Sequence, residues 1–191
     1  MSENLSPIRP SPSPSRSHEA DVALLRRLRR RDEEALSALV ATYGTVLTRT
    51  AWLHLGDAHA AEDAVQETLL AAWDGARRKR DGTSLRAWLL GILVNRCRKH
   101  VRTAARRRKR ERLAAAAHAA GLEATGETGH LETLRKAMDR LNARCREVVI
   151  LRYWQGLSVD ETAAALGVPA GTVKSRCHTA IGRLREMMRH P

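Results

Sequence analysis

Apolar positions recur at helical spacing from about Ala20 to Ala105 and again from Leu131 to the C-terminus. In "AAEDAVQETLLAAWD" the residues Ala61, Ala64, Val65, Thr68, Leu69, Ala72 and Trp73 follow the i, i+3, i+4, i+7 rule without a break, which predicts a helix with one buried face. The following "SLRAWLLGILVNRCRKHVRTAARR" places Leu85, Trp88, Leu89, Ile92 and Leu93 in a core. Beyond it Leu134, Met138 and Leu141 form another stripe, and Val148, Leu151 and Leu157 cover the unit that comes next. Strand-type runs rich in Val, Ile, Tyr and Thr are missing. The pattern predicts an all-α chain: two small helical domains joined by a flexible linker, the C-terminal one a helix-turn-helix.

The boundaries follow from where the periodicity stops. Residues 1–18 are rich in Ser and Pro and are expected to be a disordered tail. The first domain spans 19–105. Residues 106–130 open on a basic run, partly helical at its start, and continue as a small, Gly-punctuated stretch without a strong stripe, which reads as the linker. The second domain spans 131–191.

The end of that second domain is the most specific local pattern. Ser158 and Glu161 match the S-x-x-E capping box, so a helix starts at Val159. Gly167 supplies a turn, and Pro169 suits the approach to a second helix but not the interior of the first. In that second helix Val173, Cys177, Ala180 and Leu184 make the buried stripe. The same geometry turns Thr172, Lys174, Ser175, Arg176, His178 and Thr179 outward. A Gly-turned helix pair with a donor-rich second helix is a helix-turn-helix, whose second helix enters the DNA major groove. Lys and Arg read guanine there, and Ser or Thr reach bases or phosphates.

The first domain segregates its charge. Glu62, Asp63, Gln66 and Glu67 lie opposite the buried stripe of their helix. Phosphates repel such a face, so it is either solvated or a docking face for a basic protein. On the next helix Asn95, Arg98, Lys99, Arg102 and Arg106 line up as one polar and basic ridge. The loop before it, "GARRKRDGTS", carries Arg77, Arg78, Lys79 and Arg80. An acidic helix beside a basic loop and ridge fits contact with a protein and a nucleic acid together.

Composition sharpens this picture. Lys plus Arg number 34 against 21 for Asp plus Glu, giving a net charge of +13, which favours a polyanionic partner. Part of that is a bias toward Arg, since only 5 of the 34 are Lys. With no Phe, the cores must rest on Leu, Val, Ile and Ala. Cys97, Cys145 and Cys177 are odd in number and widely spaced, which suits a reducing compartment and core-filling roles better than disulfides. Cys97 and His100 could share a face, but no second ligand pair accompanies them, so neither metal nor cofactor is expected. No apolar run reaches the length of a membrane span, and the N-terminus lacks the apolar core of a signal peptide; no membrane insertion and a cytoplasmic location are expected. No paired-carboxylate, Cys/His or Gly-rich phosphate constellation is present, so no enzyme activity and no small-molecule substrate are expected.

"AEDAVQETLLAAW", the basic "LRAWLLGILVNRCRKHV" and "GLSVDETAAALGVPAGTVKSR" together resemble bacterial RNA polymerase sigma factors of the extracytoplasmic-function (ECF) group. The likeness runs from Ala20 to Arg185 except for the linker, with both halves in the right order. It implies a subunit that binds core RNA polymerase, directs it to specific promoters and helps to open the DNA. Glu62, Asp63, Gln66 and Glu67 would dock on the polymerase clamp. The Gly75–Ser84 loop, with Asn95, Arg98, Lys99 and Arg102, would hold the opened non-template strand at the −10 promoter element. Thr172, Lys174, Ser175, Arg176, His178 and Thr179 would read the −35 element as duplex. A cognate anti-sigma factor is the further partner it implies. Leu85 stands where the family often has Phe, Leu141-Asn142 where it often has Leu-Pro, and Cys177 where Leu is common. The alternative, a stand-alone helix-turn-helix transcription regulator, has no use for the acidic face.

Overall fold

The computed structural model describes residues 14–79, 82–114 and 138–189. Among these residues there are helices and no strand. The first set is α1 (Pro14–Arg29), α2 (Glu33–Leu55), α3 (Ala58–Gly75), a 3₁₀ turn (Ala76–Arg78) and α4 (Leu85–Ala114). The second set is α5 (Ala143–Val149), a π-helical turn (Ile150–Trp154), α6 (Val159–Leu166) and α7 (Ala170–Arg189).

Local chemistry fixes most of the helix ends. Asp32 caps α2, its side chain accepting from the Glu34 N–H at 3.0 Å. Asp57 does the same for α3 through Ala60 N–H at 2.7 Å, and Asn142 for α5 through Cys145 N–H at 2.8 Å. Gly56 ends α2 in the left-handed region at φ +67°, where a side chain would be strained. The capping box on α6 is complete: Ser158 Oγ accepts from Glu161 N–H at 3.0 Å and Glu161 Oε2 from Ser158 N–H at 2.9 Å. Gly167 then turns the chain at φ +66°.

One helix start differs from the sequence reading. α1 begins at Pro14, inside the segment read as tail, because proline's fixed φ suits the first helical turn. α4 runs on to Ala114, so that the start of the segment read as linker is helical. Its Arg-rich continuation contains good helix formers and no Gly or Pro. At 30 residues α4 is a rod of about 45 Å. Leu134 and most of the linker lie outside the described residues.

The two sets of helices, expected as units on a tether, pack against each other. Leu28, Leu39, Leu47, Leu89 and Leu93 of the first set and Val148, Leu151, Leu166 and Val173 of the second belong to one continuous core. Each such side chain contributes roughly 1.5–3 kcal/mol by leaving water. A smaller cluster of Met138, Leu141, Cys145, Val149 and Ala180 holds α5 to α7. The sharpest contact in the seam is Gly91 of α4. A Cβ there would lie 2.8 Å from the carbonyl oxygen and 3.1 Å from the Cα of Ala165 in α6. Only glycine lets these two backbones approach so closely.

Polar groups cross the seam as well. Gln155 is buried, and its Nε2 donates to Thr50 Oγ1 at 2.7 Å while its Oε1 accepts from Arg86 Nη2 at 2.7 Å. Ser84 Oγ donates to Glu161 Oε1 at 2.8 Å. His54, also buried, has an Nε2 without a hydrogen-bond partner among the described residues. Burial first, then the Arg146 and Arg98 charges, push its pKa down to about 3. The folded state therefore refuses a proton that the unfolded chain accepts. That stabilising contribution is complete above pH 6.5 and is lost as the pH falls toward 3. Between pH 7 and pH 5 the wild type should lose about 2 kcal/mol more stability than His54→Gln in urea unfolding. Equal losses in the two proteins would show that His54 is not held neutral.

Candidate nucleic-acid interface

α3 buries Ala61, Ala64, Val65, Thr68 and Ala72 and turns Glu62, Asp63 and Gln66 to solvent, as the periodicity requires. Glu67 differs from its three neighbours. It is half-buried and faces α4, within 3.2 Å of His100 Nε2, 3.5 Å of Lys99 Nζ and 3.6 Å of Arg96 Nη1. Burial raises its pKa, but the charges and hydrogen bonds of Lys99 and His100 prevail and hold it below the ordinary carboxylate value. Leu70 joins the outer face with 61% of its surface exposed. The sequence reading passed over it because the Leu69-Leu70 pair looks uniformly apolar, although only one member of a neighbouring pair can occupy the buried stripe.

The basic loop is held from two sides. From α1, Arg29 donates from Nη2 to Lys79 O at 2.8 Å and from Nε to Ala76 O at 3.3 Å, and Arg77 Nε returns to Arg29 O at 3.1 Å. Lys79, expected to face a phosphate, is instead buried, its Nζ donating to Thr83 O at 2.5 Å. An ammonium that donates to a carbonyl at this distance is tied to Thr83 and is not a freely extended cation. Arg77 and Arg78 remain exposed, and Arg80 lies outside the described residues.

Between this loop and α4 opens a cavity of about 660 Å³. Trp88 and Ile92 form its apolar wall, with Arg78, Lys79, Asn95 and Arg96 among the polar residues around it. Gly75 keeps the wall clear, since a Cβ there would already touch the Trp88 indole at 3.4 Å. A flat apolar wall edged by an amide and a guanidinium matches the needs of an unstacked base, which has a π-face to stack and polar edges to hydrogen-bond.

Asn95, Lys99, Arg102 and Arg106 are exposed along α4, on the expected ridge. Arg98 is turned across to α5. Its Nε and Nη2 meet Glu147 Oε1 and Oε2, both at 2.7 Å, and its Nη1 donates to Asn95 Oδ1 at 3.1 Å. So the ridge is present, but in this conformation its second member is held by the other helical unit.

On α7 the stripe of Val173 and Ala180 is buried, with Cys177 half-buried. Lys174, Ser175, His178 and Thr179 are exposed, and Thr172 and Arg176 are half-buried. The hydroxyls of Ser175 and Thr179 are turned back onto the helix, donating to Thr172 O and Ser175 O, each at 3.1 Å. Rotating either toward DNA exchanges one hydrogen bond for another.

Cys97 is buried, and burial pushes its thiol pKa up to about 12, well away from a reactive thiolate. His100, its neighbour on the same face, is engaged with Glu67. Among the described residues no three His, Cys, Asp or Glu side chains are placed to hold a metal ion.

Two family models match the chain: Sigma-70 region 2 over residues 39–107 and Sigma-70 region 4 over residues 137–186. The first runs from within α2 through α3 and the loop into α4, and the second covers the helix-turn-helix. The chain is 38% identical to the ECF RNA polymerase sigma factor EcfG of Rhodopseudomonas palustris (strain TIE-1), over 70% of this chain and 74% of the relative. It is similar in structure to CnrH, solved with the cytosolic domain of CnrY, at a TM-score of 0.68 and 26% identity over 89% of this chain and 97% of CnrH. It is also similar to the sigma factor RpoE, solved with the anti-sigma factor NepR from Bartonella quintana, at a TM-score of 0.61 and 27% identity, covering 92% of this chain and 98% of RpoE. An acidic α3, a cavity beside a basic loop and a capped helix-turn-helix thus occur together in a chain matched in both halves and along most of its length: it belongs to the ECF RNA polymerase sigma factors.

Proposed function

We propose that this sigma factor divides its work among three faces. The exposed α3 face of Glu62, Asp63 and Gln66, with Leu70 as its apolar contact, docks on core polymerase. Glu67 supports that face from behind by holding His100 of α4. Arg77, Arg78, Asn95, Lys99 and Arg102 grip the non-template strand at the −10 element, and a base leaves the stack for the cavity walled by Trp88. The outward residues of α7 read the −35 element as duplex.

The observation that carries this reading is the segregation of charge: acids on the solvent face of α3, bases on the loop and on the ridge of α4, with the cavity between loop and ridge. Flipping a base costs a few kcal/mol. Simultaneous attachment to polymerase and to both promoter elements supplies it without any covalent step. The chain is accordingly read as a non-catalytic, cytoplasmic regulator of initiation. RpoE, whose structure this chain resembles, was solved with an anti-sigma factor; a partner of that kind is proposed here too.

The docking assignment is tested by pull-down with core polymerase. Both acids are exposed and caps lie elsewhere, so Glu62→Lys with Asp63→Lys should leave the fold intact. The double reversal should weaken core binding by about 100-fold, since like charges opposed across an interface cost several kcal/mol. Undiminished binding would remove α3 as the docking face.

A further inference from the structure

The run "RRLRRR", residues 26–31, straddles the end of α1 and in the sequence is only a block of charge. In the folded chain three of its arginines have different tasks. Arg27 pairs with Asp32 and Glu34 at the start of α2, at 2.6 and 3.2 Å. Arg31 lies 5.2 Å from the centre of the Trp73 ring and 3.2 Å from Asp74 of α3. Arg29 reaches instead the basic turn that borders the Trp88 cavity. It donates from Nη2 to Lys79 O at 2.8 Å and from Nε to Ala76 O at 3.3 Å.

Both carbonyls lie where α3 and its 3₁₀ continuation end, and the last carbonyls of a helical segment have no partner within it. A guanidinium satisfies them and complements the helix dipole there. The contact is returned. Arg77 Nε donates to the carbonyl of Arg29 itself, the last residue of α1, at 3.1 Å. Three hydrogen bonds thus fix the turn to α1, and Arg29 takes part in all of them. Lys79 is the node. Its N–H closes the turn on Gly75 O at 3.1 Å, its carbonyl is held by Arg29, and its ammonium is held by Thr83 O at 2.5 Å. Arg78, Lys79 and Thr83 form one rim of the cavity, whose apolar wall, Trp88 and Ile92, belongs to α4.

We propose that Arg29 is a positioning residue for recognition of the −10 element. It makes no contact with DNA. By pinning Ala76 and Lys79 to α1 it fixes the rim against the α4 wall, and so sharpens the choice among bases that enter the cavity. The inference rests on the reading of that cavity as the site of an unstacked base. A displacement of about 1 Å in a positioned group can cost about 100-fold in rate, so a rim held by a side chain outside the cavity is enough to govern what the cavity accepts.

The test uses full-length protein assembled with core polymerase. Opening is measured by permanganate reactivity on the mapped promoter and on templates carrying single changes across the −10 element. Leu24, Leu25 and Leu28 anchor α1 in the core, so Arg29→Ala should stay folded and should bind core polymerase as the wild type does. Its opening of the mapped promoter should fall by about 10- to 100-fold. The ratio between that promoter and the altered templates should fall by about tenfold, the equivalent of one hydrogen bond lost in the pocket. Arg29→Lys keeps the cation on a single donor nitrogen and should recover part of both losses. Arg27→Ala removes the same charge from the same helix but no bond to the turn, and should leave the ratio at its wild-type value. An equal loss on every template with Arg29→Ala would make Arg29 merely structural and overturn the proposal, as would the same fall in ratio with Arg27→Ala. Failure of the underlying reading shows separately. Asn95→Ala, on the α4 side of the cavity, would then leave the ratio unchanged, whereas a sound pocket without a role for Arg29 gives the fall with Asn95→Ala alone.

Discussion

Replacing Lys174 and Arg176 together by alanine is expected to lower run-off transcription by about 100-fold or more, because each good base contact in the major groove is worth about 1–3 kcal/mol. The template is a promoter mapped with the wild-type holoenzyme. Lys174 is fully outside the α7 core stripe, and Arg176 lies at the edge of the seam. Neither contributes to the clusters that hold α7 in place, which are Val173 on one side and Ala180 on the other. The folded unit should therefore persist while its sequence reading is lost. Core binding is the internal control: α3 sits on the other unit, so pull-down with core polymerase should be unchanged. Lys174→Ala alone should give a smaller loss of the same kind. Unchanged transcription in the double variant would mean that α7 does not read the duplex.

The second large effect belongs to the ridge. Lys99→Ala with Arg102→Ala should reduce promoter opening by about 100-fold, since a hydrogen bond to a charged group is worth about 1.5–3 kcal/mol and two are removed. The fold should tolerate the change. Arg102 is exposed, and Lys99 meets Glu67 only at 3.5 Å with 59% of its side chain in solvent, a surface pair of little energetic weight. The salt response gives an independent reading. Two fewer phosphate contacts on a single strand should lower the log–log slope of binding against salt by about 1.4. A variant with the wild-type slope would place Lys99 and Arg102 away from the phosphates.

What could be read from the sequence was what depends on near neighbours. The capping box of Ser158 and Glu161, the turn at Gly167 and the buried stripe of α3 are set by residues three or four apart, and the structure shows each of them. The exposure of the candidate residues was legible to the same depth: the helical period places Glu62, Asp63, Lys99 and Lys174 outside, and outside they are. Three features do not follow from helical spacing. Lys79 turns inward because a carbonyl four residues on, Thr83 O, is brought within its reach by the bend of the loop. Arg98 leaves the ridge for Glu147, forty-nine positions away, a pairing that exists only once the two units have packed. The cavity beneath Trp88 is a space between α3, the loop and α4, and no single segment encodes it. Gly91 marks the seam in hindsight. A glycine amid the apolar run of "LLGILV" costs helix stability, and the close approach of Ala165 accounts for it.

The α3 and ridge assignments together make one demand. Gripping the polymerase and gripping the strand are tasks of opposite charge, placed on adjacent helices of one unit, so they should be separable by mutation. Permanganate reactivity of unpaired thymines at the −10 element, with the Lys99→Ala, Arg102→Ala protein assembled on core polymerase, measures this most directly. The expected result is full occupancy of core polymerase with the thymines left unreactive. Thymines as reactive as with the wild type, or a variant that no longer joins core polymerase, would contradict the division of labour between α3 and α4.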